Sequence, residues 1–197
     1  MANSNTQGFG LQPTRVLGNT PSTQGLGQYW IDAAWGTTIY NGEAVYSAGG
    51  YMNGAQGSAT TATFGTLNGI FYNAATTEKP TWANFYQATI TPANSEDTKA
   101  FVYDSPFQVF ECATDDAVDT SVAAAHVKFF ETFGFNTTAG STTNGKSTAT
   151  LNIGATSATA NQWRLLGLAE DPSNEDLTAA YCTVNVVQNL NEIIDSA

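Results

Sequence analysis

The sequence predicts an all-β, mainly antiparallel protein: a β-barrel or β-sandwich body with an extended N-terminal arm and at most one short helix. Segments rich in Phe, Tyr, Trp, Val and Ile recur along the chain, separated by clusters of Gly, Pro, Asn and Asp. About ten such segments occur at short, regular spacing, which is typical of antiparallel barrels and sandwiches. Strand-like and helix-like segments do not alternate, which disfavours a parallel α/β sheet.

The first 28 residues are predicted to form the arm, and residues 29–197 a single β-rich domain. Gly and Pro punctuate the arm, and its apolar residues Phe9, Leu11, Val16 and Leu17 are isolated from one another. Such a segment lacks the apolar surface to build its own core. We therefore expect it to be frayed or ordered against a partner.

Two strands are expected at 29–40 and 42–52, joined by a tight turn at Asn41-Gly42, a dipeptide favoured in hairpins. A polar loop, 53–63, follows. Three aromatic segments then span residues 64–112, namely GTLNGIFYN, TWANFYQATI and AFVYDSPFQVFEC, and each is interpreted as a strand of one packed sheet.

Apolar residues at helical spacing predict a short helix or turn near 118–125, followed by a strand. Asp119, Thr120 or Ser121 are the candidate helix caps. A polar linker, 136–144, leads to three further strands, KSTATLNI, NQWRLLGLA and AAYCTVNVV. An acidic loop that contains Pro172 separates the last two.

The composition indicates a surface committed to neighbouring molecules. Only 12% of the residues are charged, against about a quarter in typical soluble domains, while aromatic residues make up another 12%. Intrinsic disorder has the opposite signature of low hydrophobicity and high charge. Assembly with other proteins or with copies of the same chain is therefore the first functional expectation.

The net charge of −11 argues against nucleic acid and membranes as direct partners. Binding a phosphate backbone requires several cations on one face, and an acidic surface is repelled by anionic lipid. The chain also has no signal-like N-terminus and no long apolar run, so we expect no membrane insertion. The basic residues are scattered along the sequence: Arg15, Lys79, Lys99, Lys128, Lys146 and Arg164.

The segment GSTTNGKS satisfies the P-loop pattern GxxxxGK[ST], with Gly140, Gly145, Lys146 and Ser147 at its defining positions. A phosphate cradle also needs an apolar strand before the loop and a helix after it. Neither is predicted here, because the residues that follow are Thr-rich and alternate like a strand. We interpret the match as coincidental and expect no nucleotide and no cofactor.

Other candidate sites are weak. His126 is the only histidine, and Ser121 and the nearby carboxylates Asp115, Asp116 and Asp119 lack the surrounding motif of a nucleophile. The acidic pairs do not match a Ca²⁺ loop, and one His with two distant Cys cannot form a zinc site.

The cysteines and tryptophans allow two interpretations each. Cys112 and Cys182 lie in strand-like runs, and buried free thiols are favoured over a disulfide. Exposed tryptophans among Trp30, Trp35 and Trp82 would suit stacking on sugars, whereas core or interface positions are the ordinary use of Trp in strands.

Several segments, taken in order, carry a resemblance that spans most of the chain: FGLQPTR, GTLNGIFYN with KPTWANFY, AFVYDSPFQVFE, NGKSTATLNI, and RLLGLAEDPSNED with CTVNVVQN. Their order resembles that of small virion proteins that decorate or cement the capsids of tailed, marine podovirus-like bacteriophages. The resemblance implies an all-β fold, no catalysis, and attachment to the capsid exterior through the major capsid protein and copies of itself. It also implies that the late Gly-Lys-Ser is a loop entering a strand.

The leading hypothesis is thus a non-enzymatic capsid decoration or cement protein, assembled in the bacterial host cytoplasm. An arm of this kind can pair with a neighbour's edge strand and bury its apolar residues in pockets. The alternatives are a glycan-binding or adhesin-like module of a phage tail or surface appendage and, more weakly, a P-loop NTPase or glycoside hydrolase. The residues expected to dock a partner are Phe9, Leu11, Arg15, Val16, Leu17, Tyr29 and Trp30.

Overall fold

The chain folds into two antiparallel sheets, each curled around its own apolar core. The computed structural model describes residues 2–18, 25–54, 61–136, 140–157 and 161–194, and the statements below concern these residues. They form twelve strands, one α-helix and a three-residue 3-10 turn. The predicted all-β, mainly antiparallel fold with one short helix is confirmed.

The first sheet contains six strands in the order β1-β8-β12-β11-β9-β10, and the second has the order β2-β7-β5-β3-β4 with β6 alongside β5. In chain order the strands are β1 (Gln12–Val16), β2 (Gly27–Ile31), β3 (Ala44–Ala48), β4 (Tyr51–Gly54), β5 (Gly65–Asn73), β6 (Pro80–Ala83), β7 (Thr98–Tyr103), β8 (Gln108–Ala113), β9 (Thr132–Asn136), β10 (Thr150–Ser157), β11 (Trp163–Leu168) and β12 (Thr183–Gln188).

The first sheet curls until its last strand meets the end of β8. The Asp115 N–H donates to the Leu151 carbonyl at 3.0 Å, next to a parallel bridge between Thr114 and Leu151. Alternate residues of the curled strands point inward, and the rings of Phe110 and Trp163 meet edge to face 5.6 Å apart. Closure of this kind buries large aromatic side chains in a small sheet.

Strand β3 joins the two cores, because its alternate side chains face opposite ways. Ala44 belongs to the first core and Tyr46 packs against it, whereas Val45 belongs to the second. The second core is formed mainly by inward residues of β2, β4, β5 and β7 and by the loop residues Ile39 and Tyr86.

The predicted hairpin turn at Asn41-Gly42 is wrong. The hairpin instead joins β3 to β4 through Gly49 and Gly50, whose φ angles are +63° and +88°. A two-residue turn of this kind requires left-handed backbone at both positions, which glycine adopts readily. Asn41 instead bridges Lys146, and the Gly42 N–H donates to the Leu67 carbonyl at 2.8 Å.

The interpretation of residues 64–112 as three strands of one sheet is also wrong. The third aromatic segment forms two strands, and these belong to different sheets: β7 lies in the second and β8 in the first. The turn between them is fixed by the Gln108 N–H, which donates to the Ser105 carbonyl at 3.0 Å.

The helix α1 spans Val122–Val127. It begins there because the Ser121 hydroxyl accepts a hydrogen bond from the Ala124 N–H at 3.3 Å, as one of the predicted caps. A turn then leads from the helix to β9. No helix among the described residues is long and apolar enough to span a membrane.

The N-terminal segment, residues 2–18, lies along its own body. The Asn3 side-chain amide donates to the carbonyl oxygens of Asp176, Ala179 and Ala180 at 2.9 to 3.2 Å, and β1 then pairs with β8. Residues 19–24 of the predicted arm, 55–60 of the predicted polar loop and 137–139 of the predicted linker lie outside the described residues.

Candidate binding surface

A row of four side chains crosses the outward face of the second sheet. Trp30 on β2 is paired with Lys99 on β7, Lys99 with Phe71 on β5, and Phe71 with Trp82 on β6. Successive strands lie about 4.8 Å apart, so the row is roughly 14 Å long. We call these four residues, with the adjacent Phe101, the aromatic row.

The aromatic row presents large apolar groups to solvent. Trp30 is 50% exposed, Trp82 52% and Phe71 37%. Single exposed apolar residues are common on protein surfaces, but several in contiguous positions indicate an interaction site.

Three contacts hold the aromatic row in place. The Lys99 Nζ lies over the Trp30 ring, 5.4 Å from its centroid, which is within range for a cation–π interaction. The rings of Trp82 and Phe101 pack 5.1 Å apart. Beneath them, a Cβ on Gly69 would lie only 2.5 Å from the Trp82 ring, so the indole covers bare backbone. The row is therefore pre-organised rather than loosely held.

The opposite end of the same sheet face is buried within the chain. There Tyr46 and Tyr103 pack against the first core, and Thr66 on β5 is buried between their strands. One half of this face is thus covered by the first sheet, and the aromatic row is the half left open.

A groove adjoins Trp30 where β2 ends and β7 begins. It has a volume of about 590 Å³, and it is lined by Trp30, Gly49, Gly50, Tyr51, Glu96 and Asp97. The Tyr51 hydroxyl donates to Asp97 Oδ2 at 3.2 Å, and the Ala33 N–H donates to Asp97 Oδ1 at 3.0 Å. The negative charge of Asp97 and the hydrogen bond between Tyr51 and Asp97 raise the pKa of Tyr51 above its usual value.

The residues predicted to dock a partner differ in their access to solvent. Leu11 and Val16 are buried, and Leu11 is part of the first core, so neither reaches a partner while the chain keeps this structure. Phe9, Leu17 and Tyr29 are half-buried, and the Tyr29 hydroxyl donates to Asp104 Oδ2 at 2.8 Å. Arg15 and Trp30 are exposed, and only Trp30 lies in the aromatic row.

Backbone N–H groups of the GSTTNGKS loop donate hydrogen bonds within the same chain. The N–H groups of Gly145, Lys146 and Ser147 donate to Ser141, Asn144 and Asn41 respectively, at 2.7 to 2.9 Å. Gly140 is half-buried beside the Tyr40 ring. Strand β10, rather than a helix, follows the loop, so these donors do not converge on a phosphate at a helix N-terminus.

The side chains near His126 serve local structure. Asp115 accepts hydrogen bonds from the Asn136 amide at 2.7 Å and the Ile153 N–H at 2.8 Å. Asp119 pairs with Lys128 at 3.2 Å, and the exposed His126 ring lies 5.0 Å from the Phe129 ring. Ser121 is committed to the helix cap, as described above.

Sequence reasoning missed Phe71, Lys99 and Phe101 as surface residues. The sequence identifies Trp30 and Trp82 only as separate candidates for stacking, because their alignment depends on the pairing of four strands. Trp35, the third of those tryptophans, packs against the second core, and Trp163 is fully buried in the first.

Comparisons with models of known protein families, with curated protein sequences and with solved structures found no match to the chain.

Proposed function

We propose that this chain is a non-enzymatic virion structural protein that binds and stabilises a phage capsid shell, as a decoration or cement protein. The observation that carries the proposal is the aromatic row, a rigid apolar strip on a chain with few charges. Its partners would be the major capsid protein and neighbouring copies of the chain. The class of partner follows from the resemblance in segment order described above.

Binding by the aromatic row requires no catalysis. Aromatic side chains contribute strongly to protein interfaces, because each buries a large area and loses little conformational freedom. Pre-organisation by Gly69 and Lys99 lowers the entropy lost on docking. A protein that covers the joints between shell subunits adds stability by mass action, since it binds only the assembled shell.

The N-terminal segment has a different role in this proposal from the one predicted. Its apolar residue Leu11 is part of the first core. Deleting residues 1–28 would therefore remove part of the body together with any docking function. Point substitutions on the aromatic row are a cleaner test.

The test uses capsid shells of the source phage assembled without this protein, and measures co-sedimentation of purified chain with them. A Phe71→Ser, Trp82→Ser double variant should lose at least about tenfold in affinity, because truncation of central aromatic anchors has effects of this size. Phe107→Ser is the matched control, since Phe107 is 57% exposed but lies on the turn between β7 and β8.

Two results would count against the proposal. Failure of the wild-type chain to co-sediment with the shells at any shell concentration would remove the capsid as partner. Equal affinities of the double variant and the wild type would remove the aromatic row as the docking surface.

A further inference from the structure

The groove beside Trp30 has features that docking to a shell does not use. It lies at the edge of the second sheet, where the Gly49–Gly50 turn faces the start of β7. Lys99, on the neighbouring strand β7, lies over one face of the Trp30 ring. At the end of the sheet, the groove is also lined by Trp30. Its volume of about 590 Å³ lies within the range of small-molecule sites.

The groove combines aromatic walls with fixed acceptors. Trp30 and Tyr51 supply ring surfaces, on which the apolar C–H face of a pyranose can stack. Asp97 is held by the Tyr51 hydroxyl and the Ala33 N–H, and each carboxylate oxygen keeps a second lone pair that can accept from a sugar hydroxyl. Glu96 is exposed on the same rim and offers further acceptor oxygens.

The glycine turn keeps the rim open. A Cβ added at Gly49 or at Gly50 would meet nothing within 4 Å, so this side of the groove is bare backbone facing open space. Backbone N–H and C=O groups there are within reach of a flat, hydroxyl-bearing ligand.

The charge of the groove selects among ligands. Its titratable lining residues are Glu96, Asp97 and Tyr51, and Asp32 lies close enough to influence Tyr51 electrostatically. Lys99 is engaged with the Trp30 ring. Acidic sugars such as sialic acid are therefore repelled, and two aromatic walls do not form the enclosing cage that quaternary ammonium ions prefer.

We infer that this groove is a binding site for neutral saccharides, with Trp30 and Tyr51 as stacking surfaces and Asp97 and Glu96 as hydroxyl acceptors. The groove shares Trp30 with the aromatic row, but Phe71 and Trp82, which the shell-binding test replaces, do not line it. Failure of the saccharide inference and failure of the proposed function are therefore distinguishable. A chain with both activities would present a glycan site at the margin of its docking face.

The experiment titrates the full chain with maltohexaose, cellohexaose and hexa-N-acetylchitohexaose, all uncharged, by isothermal titration calorimetry. The wild type should bind at least one of them with a Kd of roughly millimolar or below, the range of single shallow sites. Trp30→Ala and Tyr51→Ala should each weaken that binding by about tenfold or more. Trp82→Ala, which removes an equally exposed indole outside the groove, should bind like the wild type.

Circular dichroism of each variant checks that the fold is retained, and Tyr51→Phe provides a milder second variant that keeps the ring. The inference is overturned by undetectable binding of all three oligosaccharides to the wild type. It is equally overturned by undiminished binding in Trp30→Ala, or by an equal loss in Trp82→Ala. Tighter binding of tetramethylammonium or 3′-sialyllactose than of the neutral sugars would also contradict it.

Discussion

Replacing Glu43 by glutamine should remove much of the pH dependence of stability between about pH 4.5 and 7. Glu43 is only 4% exposed, at the junction of the two cores, immediately before Ala44. Its Oε2 accepts a hydrogen bond from the Tyr40 N–H at 2.8 Å. Burial raises its pKa from 4.5 to about 7, and the Tyr40 hydrogen bond offsets only part of that effect.

The direction of this pH dependence follows from the protonation of Glu43 in the folded and in the unfolded chain. Below pH 4.5 the carboxyl is protonated in both the folded and the unfolded chain, so it imposes no penalty. Between 4.5 and about 7 the unfolded chain releases this proton first, and the free energy of unfolding falls as the pH rises. Above about 7 the group is ionised in both states and its contribution is constant.

The size of the effect follows from the shift in pKa. A change from 4.5 to about 7 corresponds to roughly 3 kcal/mol as an upper limit. The Glu43→Gln variant keeps an oxygen that can accept from Tyr40 but does not titrate. It should be more stable than the wild type by up to about 3 kcal/mol at pH 8, and within about 1 kcal/mol of it at pH 4.5.

Urea unfolding from pH 4.5 to 8, followed by tryptophan fluorescence, measures both proteins. Glu78→Gln is the control, because it removes the same charge from an exposed site and reports the general effect of the net charge of −11. A Glu43→Gln variant whose stability declined with pH as steeply as that of Glu78→Gln would refute the assignment to Glu43.

The remaining predictions concern the core, the thiols and the helix cap. Leu11→Ala should lower the free energy of unfolding, measured in urea, by about 2 to 5 kcal/mol, because Leu11 is fully buried. A loss below about 1 kcal/mol would show that the core does not need the N-terminal segment. Cys112 and Cys182 are free thiols, and burial raises the pKa of each, so an aromatic disulfide reagent should modify them only as fast as the chain unfolds. Rapid modification of the native protein would contradict their burial. Ser121→Ala should cost about 1 kcal/mol in the same urea assay and Ser121→Asp much less, whereas equal losses would argue against the cap.

Local sequence signals predicted the strands better than their pairing. The fold class, a short helix capped by one of the three candidate residues, and a strand after that helix all depend on short-range chemistry. All three are found, although the helix lies at Val122–Val127 rather than near 118–125. The placement of the β3–β4 hairpin was missed because Asn41-Gly42 and Gly49-Gly50 are both good turn dipeptides. Tertiary contacts of Asn41 and Gly42 decide between them.

The aromatic row could not be predicted because its alignment depends on a β-bulge. Leu67 and Ile70 both face the second core, since the register of β5 shifts at Asn68. Strict alternation from Leu67 would place Ile70 outward and Phe71 inward. The extra residue reverses that pattern and brings Phe71 into line with Lys99 and Trp82.

The proposed function is tested most directly by quantitative mass spectrometry of purified particles of the phage that, under this proposal, encodes the chain. We predict that the chain is present after density-gradient purification, at a fixed ratio to the major shell subunit. We also predict that a phage encoding the Phe71→Ser, Trp82→Ser variant yields particles depleted of it. Particles that contain the shell subunit but lack the wild-type chain would contradict a role as a capsid decoration protein.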